Sequence, residues 1–374
     1  MRILLVSPVP PPQGGIATWT TNVINETSKR GDIALTIVDI APRWRGIHQT
    51  DWIRRSIGGV LQLVRDFFQI WQYVRRRSTD VLHLCSSGQL ALIRDILLLA
   101  FAKLYKLPTI YHLHYGRVPQ LSEGKTWEWF LLCRAITLAG LVICVDKRTQ
   151  ATISQLLPEV QVEKLPNFVD INLSSTPSLQ TGDQSIPTKP FRIAYVGWII
   201  PSKGVLELVT AVARLSNEIE VELHLIGPQD LNYLAIIVEQ GLSLGSSLSI
   251  EGELQHDQVL DSLRATDLFV LPSYTEGFPY VIVETMALGV PIVATNVGGI
   301  PEMLGIGEED CCGVVVPPGD VAALESSIRE LYFARDTRML LGLSGRKRAK
   351  DLYSSSIVFS QLVCIWKSRG TSKY

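Results

Sequence analysis

Two glutamates, Glu276 and Glu284, stand with seven residues between them in the stretch P-S-Y-T-E-G-F-P-Y-V-I-V-E-T-M-A-L, residues 272 to 288. Gly277 follows the first and leaves the backbone open to close approach. Before them, the apolar run Asp267 to Leu271 reads as a buried strand that Pro272 and Ser273 end. After them, Val281, Glu284, Thr285 and Leu288 repeat at helical spacing, and Gly289 with Pro291 stops the helix before a second strand, Ile292 to Ala294. Glu276 therefore falls in a turn and Glu284 about two turns into a helix. Turn N–H groups and the positive helix end can meet an anion. The arrangement suits a sugar-nucleotide diphosphate, with Glu284 on vicinal ribose hydroxyls and Glu276 reaching the sugar. Two solvated glutamates near a helix start, one favourable to the macrodipole, are the bland alternative.

The full string P-S-x-x-E-G-F-P-x-x-x-x-E-T-M-A-L-G-V-P-I-V-A-T resembles the C-terminal signature of retaining glycosyltransferases of the GT-B fold, specifically family 4 (group 1). The match runs from Pro272 to Thr295 without a gap and continues through Val297-Gly298-Gly299-Ile300-Pro301-Glu302. The resemblance implies an α/β chain of two facing Rossmann-like, doubly wound parallel-sheet domains. It implies transfer of a sugar, with retention, from a nucleotide-diphosphate-sugar, UDP- or GDP-linked, to an acceptor hydroxyl. In that family the leaving phosphate takes the acceptor's proton and the first glutamate orients the sugar, so Glu276 is not assigned as a covalent nucleophile. Gly277, Phe278, Pro279 and Glu284 then belong to the donor site.

Size and composition agree with such an architecture. A chain of 374 residues can bury two cores, and 47% hydrophobic against 19% charged residues excludes disorder. Lys and Arg number 35 against 36 Asp and Glu, which gives no reason to expect nucleic acid as a partner. The six cysteines form no C-x-x-C pair or metal spacing, so reduced, buried thiols of a cytoplasmic protein are expected. The apolar start Ile3 to Val6 is too short for a signal-peptide core. No stretch is long enough to span a bilayer, so membrane contact is expected to be peripheral, on the inner face of the cytoplasmic membrane.

Taken in order, the chain predicts an N-terminal domain over 1–173, a Ser/Thr/Pro/Gln-rich linker at 174–189, a C-terminal nucleotide-sugar domain over 190–352 and a final helix in 353–374. The resemblance sends that last helix back to the N-terminal domain. Strand 2–7 leads through prolines to Gly14-Gly15 and a helix from Ile16. Such a turn bares N–H groups for a phosphate, or is a tight βα turn with no ligand. The family resemblance places Gly14 and Gly15 near donor diphosphate and acceptor.

Between Pro42 and Arg77, eight arginines (43, 45, 54, 55, 65, 75, 76, 77) face two aspartates, interleaved with Trp and Phe. This composition fits an anionic membrane surface, a helix packed by its aromatics with solvated arginines outside, or a diphosphate acceptor. His112 and His114 share one face of a strand, but two histidines without a visible third ligand do not make a zinc site, and no metal is expected. By resemblance His114 points to the sugar or acceptor; a buried, hydrogen-bonded histidine is the alternative.

The second half restarts with a strand, Phe191 to Val196, and Gly197-Trp198-Ile199-Ile200-Pro201-Ser202-Lys203-Gly204. A lysine at a helix start is disfavoured by the dipole unless an anion joins it, so Lys203 is a candidate diphosphate ligand. The segment resembles the family's Gly-Arg-x-x-x-x-Lys-Gly, with Trp198 where the arginine belongs. The resemblance implies that the loop after Gly252 lines the base pocket near Leu254; a loop residue with no ligand is the alternative. A lipid-linked or surface-polysaccharide glycan is the expected acceptor. A GT-B epimerase or phosphorylase, or a non-catalytic sugar-nucleotide-binding partner of a polysaccharide assembly complex, would use the same residues.

Overall fold

A computed structural model describes residues 1–11, 14–41, 52–76, 78–170 and 190–371. The expected linker at 174–189 lies outside the described residues, as do Arg43, Trp44, Arg45 and Arg77. The chain forms two compact units, Met1–Phe168 with Ser355–Tyr374, and Val169–Ser354.

The first unit alternates β1 (Arg2–Ser7), α1 (Gly15–Ser28), β2 (Ala34–Asp39), α2 (Trp52–Arg75), β3 (Val81–Ser86) and α3 (Ala91–Leu104). It continues with β4 (Thr109–Leu113), α4 (Val118–Gly124), α5 (Trp127–Leu138), β5 (Leu141–Cys144), α6 (Lys147–Leu156) and β6 (Val162–Lys164). The strands pair in parallel in the order β2-β1-β3-β4-β5-β6. Strand direction reverses its lateral course between β1 and β3, and ligand crevices of open α/β sheets form outside the strand C-termini at such a point. Gly14 and Gly15 follow β1 there.

The second unit runs β7 (Phe191–Val196), α7 (Val205–Leu215), β8 (Val221–Ile226), α8 (Leu231–Gln240), β9 (Leu248–Gly252) and α9 (His256–Arg264). Then come β10 (Leu268–Leu271), α10 (Tyr280–Leu288), β11 (Ile292–Thr295), α11 (Ile300–Met303), β12 (Gly313–Val316), α12 (Val321–Phe333) and α13 (Arg335–Leu352). Its parallel order is β12-β11-β10-β7-β8-β9, so the switch lies between β7 and β10. The loops after those two strands carry Lys203 and Glu276, and the topology sets them side by side. The last helix, α14 (Ser355–Thr371), belongs to the first unit.

Parallel register decides which side chains share a face. Cys85 pairs with His112 and His83 with Ile110, so His83, Cys85, His112 and His114 point to one side of the first sheet. The opposite side, with Leu82, Leu84, Tyr111 and Leu113, packs on α2, α3 and α5 in one continuous core. α6 carries too weak an apolar pattern to be read in advance, burying only Thr149 and Ile153. Its cap fixes it instead, because Asp146 accepts from the Thr149 N–H at 2.8 Å.

Candidate active site

In the second unit one carboxylate oxygen gathers the site. Glu276 Oε1 accepts from Lys203 Nζ at 2.6 Å and from Ser273 Oγ at 2.8 Å. The two charged side chains keep only 23% and 12% of their surface, so their attraction is weakly screened. Ser273 is itself held, since Thr295 Oγ1 donates to the Ser273 carbonyl at 2.5 Å. Tyr274 N–H donates to Ser202 O at 3.0 Å and ties the Lys203 turn to the Glu276 turn. Lys203 precedes Gly204, whose left-handed backbone (φ 66°) lies so near that an added Cβ would sit 2.1 Å from the Pro272 carbonyl. Gly298 (φ 54°) makes the same approach to the Glu276 carbonyl, also 2.1 Å for a Cβ, and Gly299 N–H donates to Gly277 O at 2.8 Å. The turn is thus fixed by two loops and the end of β11, and only glycine fits the two contact points.

Glu284 lies inside α10, 7% exposed, with His256 Nε2 at 3.8 Å from its Oε1. Burial raises its pKa above the usual carboxylate value, and His256 opposes that rise. It is not the solvated helix-face glutamate of the bland reading. Phe278 is 4% exposed with its ring on Tyr353, 5.4 Å between centroids, so its side chain anchors the turn. Pro279 caps α10 in extended conformation, and Leu254 is half-buried between β9 and α9. Trp198 is 37% exposed and its carbonyl accepts from Tyr195 Oη at 2.7 Å.

In the first unit Gly14 caps α1 with no capping side chain and no heavy atom near the position of an added Cβ. The first N–H groups of α1, from Gly15, therefore receive no side-chain hydrogen bond from their cap residue. His114 stands just past β4, its backbone N–H donating to Ser86 O at 3.2 Å. Its ring packs on His112, centroids 3.9 Å apart, and on Trp19 at 5.1 Å. Among the described residues, both His114 nitrogens, His112 Nε2 and Trp19 Nε1 are buried with no hydrogen-bond partner, unlike the bonded histidine of the alternative reading.

The zinc argument from sequence missed two groups on the neighbouring strand: ligand atoms of His83, Cys85 and His112 lie within 4.8 Å of one another. Their hydrogen bonds speak for a different use. Trp366 Nε1, a donor only, meets His83 Nδ1 at 2.9 Å, so that nitrogen carries a lone pair. The proton of neutral His83 is then on Nε2, 3.2 Å from His112 Nδ1, which must accept and leaves the His112 proton on Nε2. A metal on His83 Nε2 would compete with that proton. Burial pushes His83 and His114 down to about 3, and holds His112 well below its ordinary value with help from the two neighbours.

Residues 13–173 match the family model described as Glycosyltransferase Family 4, and residues 180–348 that of Glycosyl transferases group 1. The chain belongs to the group 1, family 4-like glycosyltransferases. It is 34% identical over 177 residues to the MMP alpha-(1->4)-mannosyltransferase of Mycolicibacterium hassiacum, 47% of this chain and 42% of that protein. It is 29% identical over 186 residues to the capsular polysaccharide biosynthesis glycosyltransferase CapM of Staphylococcus aureus, 48% of this chain and 46% of that one. The matches thus span about half the length of these relatives. The crystal structure of Anabaena HepE in complex with UDP-glucose superposes with a TM-score of 0.72 at 20% identity, covering 98% of this chain and 100% of that one. With two six-stranded parallel sheets flanked by helices, the fold is GT-B.

For a family 4-like glycosyltransferase the sequence motifs leave out what holds them. Ser273 lies inside the signature as its second residue, yet only the fold reveals that it bonds Glu276. Gly298 likewise reads as a turn residue until the Glu276 carbonyl appears against it. No local pattern links Trp366 to His83, 283 positions away. Among the described residues no helix is long and apolar enough to cross a membrane.

Proposed function

We propose that the protein transfers a sugar, with retention, from a nucleotide-diphosphate-sugar to an acceptor hydroxyl on a lipid-linked or surface-polysaccharide glycan. The convergence of Lys203 and Ser273 on one oxygen of Glu276, in a turn fixed by Gly204 and Gly298, carries the reading. A carboxylate so held has one oxygen engaged and can orient a sugar through the other. Lys203 neutralises charge on the leaving diphosphate, Glu284 takes the ribose hydroxyls, and the backbone from Gly277 to Pro279 and near Leu254 lines the donor. Gly14 and Gly15 add N–H groups for phosphate, and His114 is the uncharged ring for sugar or acceptor, its two nitrogens buried until a ligand opens their surroundings. Transition-state charge is met by fixed donors and a cation, an electrostatic mechanism that needs no metal. The capsular polysaccharide role named for CapM and the UDP-glucose bound by HepE support a glycan acceptor and a UDP-linked donor, with GDP the alternative. Basic and aromatic residues of 42–77 suit an anionic membrane where a lipid-linked acceptor resides.

A panel of UDP-, GDP- and ADP-sugars in a thermal-shift assay tests the donor, because a ligand of the folded state raises its melting temperature. Glu276→Ala should abolish transfer, measured with EDTA present, while the nucleotide still raises Tm; normal turnover in that variant sinks the assignment. Trp198 in place of arginine favours a second reading, a non-catalytic sugar-nucleotide binder, which tight nucleotide binding without donor hydrolysis or transfer would establish.

A further inference from the structure

Three helices of the first unit, α2, α3 and α5, cover one face of its sheet and share one core. Their outward sides are unusual for a protein surface. Leu90, Ile93, Leu97 and Leu104 on or beside α3 are 71%, 48%, 47% and 79% exposed, and Trp127 and Phe130 on α5 are 56% and 65% exposed. Val64 and Phe68 extend the strip onto α2, where Phe68 stacks on Trp71 and Arg75 covers the same indole at 5.0 Å. Spacings of three, four and seven residues keep these tips on one side of each helix.

The charges on the same wall have one sign. Each of the three helices carries a single carboxylate in its sequence, Asp66, Asp95 or Glu128, and all three are buried, 1%, 0% and 6% exposed. Each is also ion-paired, to Arg65, Arg94 and Arg117 respectively. Arg65, Arg75, Arg76, Lys103, Lys106 and Arg134 are exposed around the apolar tips. Separate apolar and aromatic tips set among cations, with no exposed carboxylate on these helices, complement an anionic bilayer: rings and leucines enter the interface while cations meet headgroups.

We infer that this wall, with α3 and α5 as well as the basic helix α2, is a docking face for an anionic lipid bilayer. For its purpose it rests on the lipid-linked reading of the acceptor, but its measurement does not. Leu90 and Trp127 stand at the N-terminal ends of α3 and α5, the end of the unit where β1 delivers Gly14 and β4 delivers His114. A membrane on this wall therefore lies beside the strand ends that carry those groups.

Flotation with phosphatidylglycerol-containing vesicles, compared with pure phosphatidylcholine, tests the inference. The full chain should float with the anionic vesicles only. Trp127→Glu with Phe130→Glu, and separately Ile93→Glu with Leu97→Glu, should cut partitioning roughly tenfold or more. Each cation changed to Gln, Lys103 or Arg134 for example, should cost about fivefold at low salt. All these positions are exposed, and unchanged circular dichroism and nucleotide-induced thermal shift in each variant keep a folding or donor-site failure distinguishable. No flotation, equal flotation with neutral vesicles, or flotation indifferent to the α3 and α5 variants overturns the inference. So does light scattering that finds the variants disrupting a dimer and not vesicle binding.

Discussion

Acid should unfold the first unit because its sheet buries three neutral histidines. His83 and His114 titrate near 3 in the folded chain against 6.5 in the unfolded one, and His112 is depressed beside them. Above pH 6.5 both states are neutral there and stability does not depend on these groups. As pH falls below 6.5 the unfolded chain takes protons that the folded chain refuses, so stability is lost progressively until the folded pKa is reached. At pH 5 the loss is about 2 kcal/mol for each of His83 and His114 and about 4 kcal/mol for the pair, a large part of an ordinary domain's stability, and His112 adds to it with the same sign. Carboxylates of ordinary pKa remain mostly ionised in that window, so the slope belongs mainly to histidine. Urea unfolding between pH 7 and 5, followed by tryptophan fluorescence, reads it directly. Trp198 is the only tryptophan of Val169–Ser354, so the signal reports chiefly the first unit. His112→Asn should flatten the slope by about one proton in three. A midpoint constant from pH 7 to 5, or an unchanged slope in the variant, refutes the reasoning.

Other consequences follow from the second unit. Lys203→Ala and Glu276→Ala should be non-additive, with a coupling of about 0.5–3 kcal/mol in a thermal or urea double-mutant cycle, since the pair is close and mostly shielded. Additive losses would show that the contact contributes nothing. Gly298→Ala places a Cβ against the Glu276 carbonyl in left-handed backbone, and should destabilise by about 1–3 kcal/mol or more and reduce transfer further than it reduces stability-limited folding. A variant with wild-type Tm and turnover argues that the turn tolerates displacement. Trp198→Arg changes a residue that is 37% exposed, so it should leave Tm nearly unchanged and tighten donor binding. Unaltered donor affinity would mean that this position does not reach the diphosphate.

The signature around Glu276 and Glu284 was legible because its chemistry is local. Strand, turn, helix and strand fall within residues 268–295, where hydrophobic period and a Gly-Pro stop identify each element. The Gly14-Gly15 turn and the lysine before Gly204 were legible for the same reason. Trp19, which packs over three histidines, carries no sequence mark distinguishing it from any other apolar helix residue. The polar helix α6 shows the opposite failure, since its stability comes from a cap and a few buried contacts instead of an apolar stripe.

The sequence by itself determined most of the alternation of strands and helices, the family and the candidate residues for a sugar-nucleotide site. Tertiary structure decided which of them meet. Parallel pairing of β3 with β4 set His83 and Cys85 beside His112, and strand order placed the Lys203 loop against the Glu276 turn. It also turned the single acids of α2, α3 and α5 inward, leaving their outer wall positive. Periodicity along a chain reports which face of an element is buried, whereas register and strand order are properties of pairs far apart in sequence.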